Sequence, residues 1–339
     1  MIMADLKTKY LNLTLENPII AGASSLTSSV NTVKKLEQAG AAAVVLKSLF
    51  EEEIQYENFK MEDELSTFDD WHAEMGNIFP EIKHAGPREH LLFTKEVKQA
   101  VSIPVLASLN AVSRSVWSDY AKQLEEAGVD GLELNFYSMI QDPGVDPREV
   151  EKEHVSVVQE VKQAVSIPVG VKLSPFLTNP LNHIKELDKA GADGFVLFNR
   201  LFHPDFNIFR EDNTYAPNLS GPEDHRTAVR FTGMLYDEIQ GSLCASNGVH
   251  TAEHIIRALL AGADCVQMVS ALFENSPDVI ETVKTEIEKW MDGKGYNSIS
   301  DFRGNLSKKN NPDKWTYSRA KYIKILQSSK DLMEKLSII

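Results

Sequence analysis

The sequence predicts an α/β fold, a TIM (β/α)8 barrel, on three observations. One phrase recurs four times: AGAAAVVLKS (39–48), AGVDGLELNF (127–136), AGADGFVLFNR (190–200) and AGADCVQMVSA (261–271). A second recurs twice: VKQAVSIPVLASLN (97–110) and VKQAVSIPVGVKLS (161–174). Together with PIIAGAS (18–24) and SLCASNGV (242–249) they give eight short apolar runs separated by amphipathic segments. Such repetition is the mark of stacked β–α units, and runs without alternation suit strands buried on both faces of a parallel sheet.

The expected strands lie near 18–24, 42–49, 104–110, 131–137, 168–175, 194–200, 242–249 and 265–272. Between them, SVNTVKKLEQAG and SVWSDYAKQLEEAG have helical spacing. The glycine closing each such pattern can supply a left-handed cap. In the second phrase the helix stops before Ile-Pro and a strand follows. A doubly wound sheet is the alternative, but it favours a GxGxxG turn after the first strand, and none is present. Two connections exceed the pattern: an acidic and aromatic insertion at 50–90 after strand two, and residues 201–221 after strand six. Both leave C-terminal strand ends, where barrel active sites sit. A single barrel domain over 1–292 is expected, with a helical extension over 293–339 packed on the barrel or in a subunit contact. A homodimer is the expected state.

The net charge of −14 argues against nucleic acid or an anionic membrane as the main partner. Cys244 and Cys265 sit in apolar runs and read as buried thiols, not as a disulfide framework. No apolar run approaches a membrane span, and the N-terminus lacks the apolar core of a signal peptide, so a cytoplasmic location is the expectation.

On the barrel reading the strand ends converge. They are Gly22, Ala23 and Ser24; Lys47 and Ser48; Asn110; Asn135 and Ser138; Lys172; Asn199 and Arg200; Asn247 and Gly248; Ser270. Amides, hydroxyls and two lysines are a poor set for a catalytic metal, and none is expected. They suit a flat, polar, anionic ligand. Loops after the last two strands commonly bind phosphate, and Ser220-Gly221 could add another backbone nest. The lysines could instead form a Schiff base, as in a barrel lyase or aldolase, or stabilise charge on an electron-rich ring. His250 and His254, four apart, have the spacing of a metal pair but lack HExxH order.

NP (17–18), LKS (46–48), LELN (132–135), VKLSP (171–175), LSGP (219–222), SNGVHTAEH (246–254) and QMVSAL (267–272) fall in an order that resembles the dihydroorotate dehydrogenases, FMN-containing barrels of pyrimidine synthesis. The likeness runs from NPIIAGAS to GYNSISDFRGNL (295–306). It implies that Gly22, Ala23 and Ser24 lie along the flavin ring and that Lys47, Asn135 and Lys172 contact the ring or its edge. It implies that Ser220, Gly221, Gly248, Val269 and Ser270 hold the ribityl phosphate. Ser138 aligns with the family's base, which takes a proton from C5 of dihydroorotate as hydride leaves C6 for the flavin; Lys47 and Asn135 complete that catalytic set. Lys47, Asn135, Asn199 and Arg200 would meet the substrate. The family's Pro-Asn after the base is Met139-Ile140 here, its Asn-Ser after strand six is Asn199-Arg200, and its substrate-loop phrase survives only as MGNIFP (75–80). These departures point to an altered substrate half and admit a related cyclic or unsaturated acid. A flavin-binding module without catalysis is a further reading, and the electron acceptor stays unassigned.

Overall fold

A computed structural model describes residues 4–53, 87–110, 114–137, 142–214 and 218–328. Eight parallel strands close into a barrel: β1 (Ile19–Ala21), β2 (Ala43–Val45), β3 (Val105–Asn110), β4 (Gly131–Asn135), β5 (Val169–Leu173), β6 (Gly194–Leu197), β7 (Ser242–Ser246) and β8 (Cys265–Met268). Each pairs with the next, and β8 pairs with β1. The helices that follow are α1 (Val30–Gln38), α2 (Pro87–Ala100), α3 (Arg114–Glu126), α4 (Pro147–Ala164), α5 (Pro180–Lys189), α6 (His225–Leu235) and α7 (Ala252–Ala261). After β8 come α8 (Ser270–Asn275) and α9 (Val279–Lys294).

The phrase glycines do what their position demands. Gly40, Gly128, Gly191 and Gly262 have φ of +93°, +92°, +103° and +122°, values open to glycine and costly to residues with a Cβ. Each ends a helix and turns the chain toward a strand. The strands stop earlier than the apolar runs. β5 ends at Leu173 and β6 at Leu197, so Ser174, Pro175, Asn199 and Arg200 leave the ladder. Polar groups that quit the ladder at the strand ends are free to face a ligand.

The N-terminal hairpin, Thr8–Tyr10 paired with Leu13–Leu15, stops the bottom of the barrel. Tyr10 and Leu11 are buried among Cys244, Cys265 and Val196, and the glycines of β5 and β6 make room for them. A Cβ on Gly194 would lie 2.8 Å from Leu11 Cδ2, and one on Gly170 would lie 3.3 Å from Tyr10 Oη. Burial pushes the Tyr10 hydroxyl and the Cys265 thiol well up, so both stay protonated. The two cysteines are free and buried.

One clamp recurs at the strand starts. The Asp of the repeated AGxD accepts an N–H from the start of the preceding strand and is paired with a cation. Asp130 Oδ2 lies 2.7 Å from Val105 N and 2.7 Å from Lys98 Nζ. Asp193 Oδ2 lies 2.7 Å from Val169 N and 2.6 Å from Lys162 Nζ. Asp264 accepts Leu243 N–H at 2.8 Å and pairs with Arg303 at 2.6 Å. The Ser-Ile-Pro turns carry a second clamp. Glu37 Oε1 accepts from Ser102 N and Oγ, both at 2.7 Å, and Glu125 Oε1 from Ser166 N at 2.9 Å and Ser166 Oγ at 2.5 Å. The Ser166 hydroxyl, then the Ser166 and Ile167 N–H groups, hold the Glu125 carboxyl below its usual range.

The chain after β2 begins the long insertion with Leu49–Phe50, paired with the end of β3; residues 54–86 lie outside the described residues. The connection after β6 holds an exposed antiparallel hairpin, Asp205–Asn207 with Asp212–Thr214. In the C-terminal segment Ile299 and Phe302 are buried in the core cluster around Trp290 and Tyr296. Helix α10 (Arg319–Gln327) has no buried residue.

Candidate active site

Two adjoining cavities open at the C-terminal ends of the strands and share Ala23, Lys172, Asn199 and Arg200. One, of about 320 Å3, is bounded by Ser24, Lys47, Ser48, Phe50, Asn135 and Tyr137. The other, of about 190 Å3, is bounded by Ser220, Ser246, Asn247, Gly248, Val269 and Ser270. They make one groove with a broad end over β1, β2 and β4 and a narrow end over β7 and β8.

Lys172 stands where the two ends meet. β5 carries it into the barrel mouth, 7% exposed. Its Nζ donates to Gln267 Oε1 at 3.0 Å and lies 3.7 Å from Glu133 Oε1. Gln267 Nε2 in turn donates to Glu133 Oε2 at 2.5 Å. Ser108 Oγ, 3.4 Å from Glu133 Oε1, links the network to Ser48 Oγ at 2.7 Å. Glu133 and Gln267 are each 1% exposed, and an ion pair so deep persists only with its remaining hydrogen bonds filled. Sequence reading missed both. Their signal was one polar side chain inside each of two apolar strands, LEL and VQM.

At the broad end, Asn199 Nδ2 donates to Asn135 Oδ1 at 2.6 Å. Asn110 does not line the groove; it braces it, with Nδ2 on the Asn135 carbonyl at 2.7 Å. Lys47 pairs with Glu53 at 2.9 Å, and its carbonyl accepts from His90 Nε2 at 3.1 Å. Arg200 is committed as well: Nη1 lies 2.6 Å from Asp224 Oδ2 and Nε 3.1 Å from Asn218 Oδ1. Neither partner was foreseen: Glu53 lies in the helical turn that follows Phe50, and Asp224 in the 3-10 turn Pro222–Asp224 before α6. Ser138, Met139, Ile140 and MGNIFP lie outside the described residues.

At the narrow end, Ser220 is a hub. Its N–H donates to Ser270 Oγ at 2.8 Å, its Oγ lies 2.9 Å from Ser270 Oγ, and it accepts Gly248 N–H at 2.9 Å. Gly248 has φ +65°, and a Cβ there would lie 2.4 Å from His225 N and 2.8 Å from Gly221 O. Gly22 is similarly constrained, 2.8 Å from Val269 Cγ2 by the same construction. Gly221 is exposed and does not line the groove; its N–H donates to Asp224 Oδ2 at 2.9 Å. His250 and His254 do not face a common metal position. His250 N–H donates to His254 Nδ1 at 3.1 Å, and no cluster of three metal-binding side chains occurs among the described residues.

The groove fits FMN in kind. The Asn247 Oδ1 is buried without a partner at its narrow end, where a hydroxyl-bearing chain would satisfy it. The hydroxyls and glycine of the hub suit a phosphate, and the lysine at the junction suits the electron-rich edge of a flavin ring.

Residues 81–291 match the family profile described as dihydroorotate dehydrogenase. The chain is 27% identical over 311 residues to the catalytic subunit of dihydroorotate dehydrogenase B (NAD(+)) from Thermoplasma volcanium, covering 89% of this chain and 98% of that one. It is 26% identical over 320 residues to the protein of that name from Methanothermobacter thermautotrophicus, covering 88% and 97%. It is 29% identical over 225 residues to dihydroorotate dehydrogenase A (fumarate) from Lactobacillus helveticus, covering 63% and 71%. No described helix is long and apolar enough to cross a membrane. The chain belongs to the dihydroorotate dehydrogenase family of oxidoreductases.

Proposed function

We propose that the protein is an FMN-dependent dehydrogenase of CH–CH bonds that oxidises dihydroorotate, or a close cyclic relative, in pyrimidine biosynthesis. The observation that carries this is the groove with Lys172 at its junction and the Ser220–Gly248–Ser270 hub at its end. FMN, when bound, supplies the hydride acceptor. Gly22, Ala23, Ser24 and Ser48 would line the ring, and Ser220, Asn247, Gly248, Val269 and Ser270 would hold the ribityl phosphate.

The chain's own residues do the rest. Lys172 keeps a fixed cation at the junction, oriented by Gln267 and balanced by Glu133, so charge arriving there meets a preset partner. Asn199 engages Asn135 Oδ1, which leaves the Asn135 amide nitrogen as the end that donates to substrate. Lys47, anchored through its carbonyl by His90, stands at the rim of the broad end. Ser138 is the proposed proton acceptor. A serine is a weak base, so that step needs a closed site and a relay to solvent.

A second reading, a substrate other than dihydroorotate, is favoured by the Arg200–Asp224 and Lys47–Glu53 pairs. A substrate carboxylate must compete with an internal carboxylate for either cation. One experiment addresses both readings: anaerobic mixing of the yellow protein with dihydroorotate and with neutral dihydropyrimidines. Bleaching by dihydroorotate supports the first reading, and bleaching only by neutral rings supports the second. A purified protein with no flavin absorption refutes both.

A further inference from the structure

Helix α10 wears its apolar side outward. At roughly 100° per residue, Tyr322, Ile323 and Ile325 fall within an arc of about 160°, and Arg319, the first helical residue, is the one charge within it. An arc of that width on a surface helix ordinarily faces the core, with the charges left in water. Here the three apolar residues are 60%, 44% and 58% exposed, and Trp315, just before the helix, is 65% exposed. The other side of the helix holds Lys321, Lys324 and Gln327, and that side meets the protein. Lys321 Nζ lies 2.6 Å from Asp313 Oδ2. The Lys321 hydrogen bond, the Trp315 N–H and the Lys324 charge hold the Asp313 carboxyl below its usual range.

The segment that leads into the helix is firmly fastened. Tyr317 donates to the Leu306 carbonyl at 2.7 Å and lies on Gly233, where a Cβ would collide with the Tyr317 Oη. Lys308 N–H donates to the Gly233 carbonyl at 2.7 Å, and Lys309 pairs with Asp237. Gly233 stands in the last turn of α6, and Asp237 follows that helix. The attachment is therefore at the end of the barrel where the strands start, away from the groove mouth.

Charge says what covers the outward face. Residues 308–324 hold six lysines or arginines and one carboxylate, Asp313, within a chain of net charge −14. They form a basic island on an acidic protein. Two copies of this face set against each other would oppose like charges. A second copy offering its acidic body instead would make a head-to-tail contact that does not close on itself. A flat anionic surface meets both requirements: apolar and aromatic side chains enter the interface, and long cationic side chains reach the headgroups.

We propose that α10 and Trp315 form a docking surface for an anionic lipid bilayer, with Trp315, Tyr322, Ile323 and Ile325 at the headgroup boundary and Lys314 and Arg319 over the phosphates. Repulsion of the acidic body is screened beyond about 8 Å at physiological ionic strength, and the groove mouth stays open to water.

The test is cosedimentation of the purified full chain with vesicles of phosphatidylglycerol and of phosphatidylcholine. Binding to phosphatidylglycerol should be at least tenfold the tighter and should weaken with salt. Ile323→Ser with Ile325→Ser should lower it by about tenfold. Lys314→Gln with Arg319→Gln should lower it by roughly tenfold or more and flatten the salt dependence. All four side chains are exposed, so thermal unfolding of these variants should match wild type. Phosphatidylglycerol vesicles should also shift the tryptophan emission to the blue, and Trp315→Phe should abolish that shift. No binding to phosphatidylglycerol, equal affinity for the two lipids, or full binding by I323S/I325S overturns the proposal. Self-association without lipid that I323S/I325S abolishes, seen in sedimentation equilibrium, makes a second copy the occupant and overturns it as well.

Discussion

Replacing Lys172 by Met tests the buried network most directly. Met approximates the volume of the lysine stem, so packing changes little. What changes is the electrostatics of Glu133, 1% exposed, which loses the ammonium 3.7 Å away and keeps only Gln267 and Ser108. An unpaired buried charge of this kind costs about 3–5 kcal/mol. Urea unfolding of flavin-free protein measures this. K172M should be about 3–5 kcal/mol less stable than wild type, and adding Glu133→Gln should restore most of the loss. A K172M stability equal to that of wild type, or no recovery in the double variant, would refute the assignment of Lys172 and Glu133 as an interdependent pair.

Ser138→Ala should leave flavin bound and slow its anaerobic reduction by at least tenfold; unchanged reduction in stopped flow removes Ser138 from the proton step. Gly248→Ala forces a Cβ to within 2.4 Å of His225 N at φ +65°. It should cost about 1–3 kcal/mol in thermal or urea unfolding and weaken FMN more than riboflavin. Acid should loosen the wall behind β4. There His154 Nδ1 lies 3.1 Å from His183 Nε2, and Phe136 stacks on His154 at 4.1 Å. Burial, then the His183 charge, lowers His154 to about 3, and burial lowers His183 to about 4. Both are neutral when folded, so their contribution is complete above the ordinary histidine pKa and is lost as pH falls below it. Between pH 6.5 and 5 the loss should be about 2 kcal/mol per imidazole, and His154→Phe with His183→Met should flatten that slope.

The repeated phrases made the barrel legible, because each glycine that needs positive φ stands at the same place in its unit. Lys172 and Asn135 were legible for the same reason: Asn135 ends β4 and Lys172 pairs with it next to the end of β5. Lys47 was legible as a residue but not in its pairing, since Glu53 reaches it from the helical turn that opens the insertion. Asn110 had the right place and a different task, bracing Asn135 from behind. Glu133 and Gln267 stayed hidden because a buried strand was read as uniformly apolar, although a carboxylate and an amide on facing strands can satisfy each other. His250 was weighed only as a metal ligand; its ring neighbours, the Ser220 carbonyl and Glu274, come from the loop before α6 and from α8, 30 and 24 positions away in the chain.

The aspartate clamps lie at the opposite end of the strands from the groove. Each ties a strand start to a cation within or next to its own unit, so the foundation of the barrel is stapled locally and makes no demand on the mouth. That arrangement gives the fold two nearly independent constituencies. Residues at the mouth, such as Asn199 or Arg200, can be exchanged for others while the base stays intact. A lineage built this way can change what it oxidises and keep its scaffold.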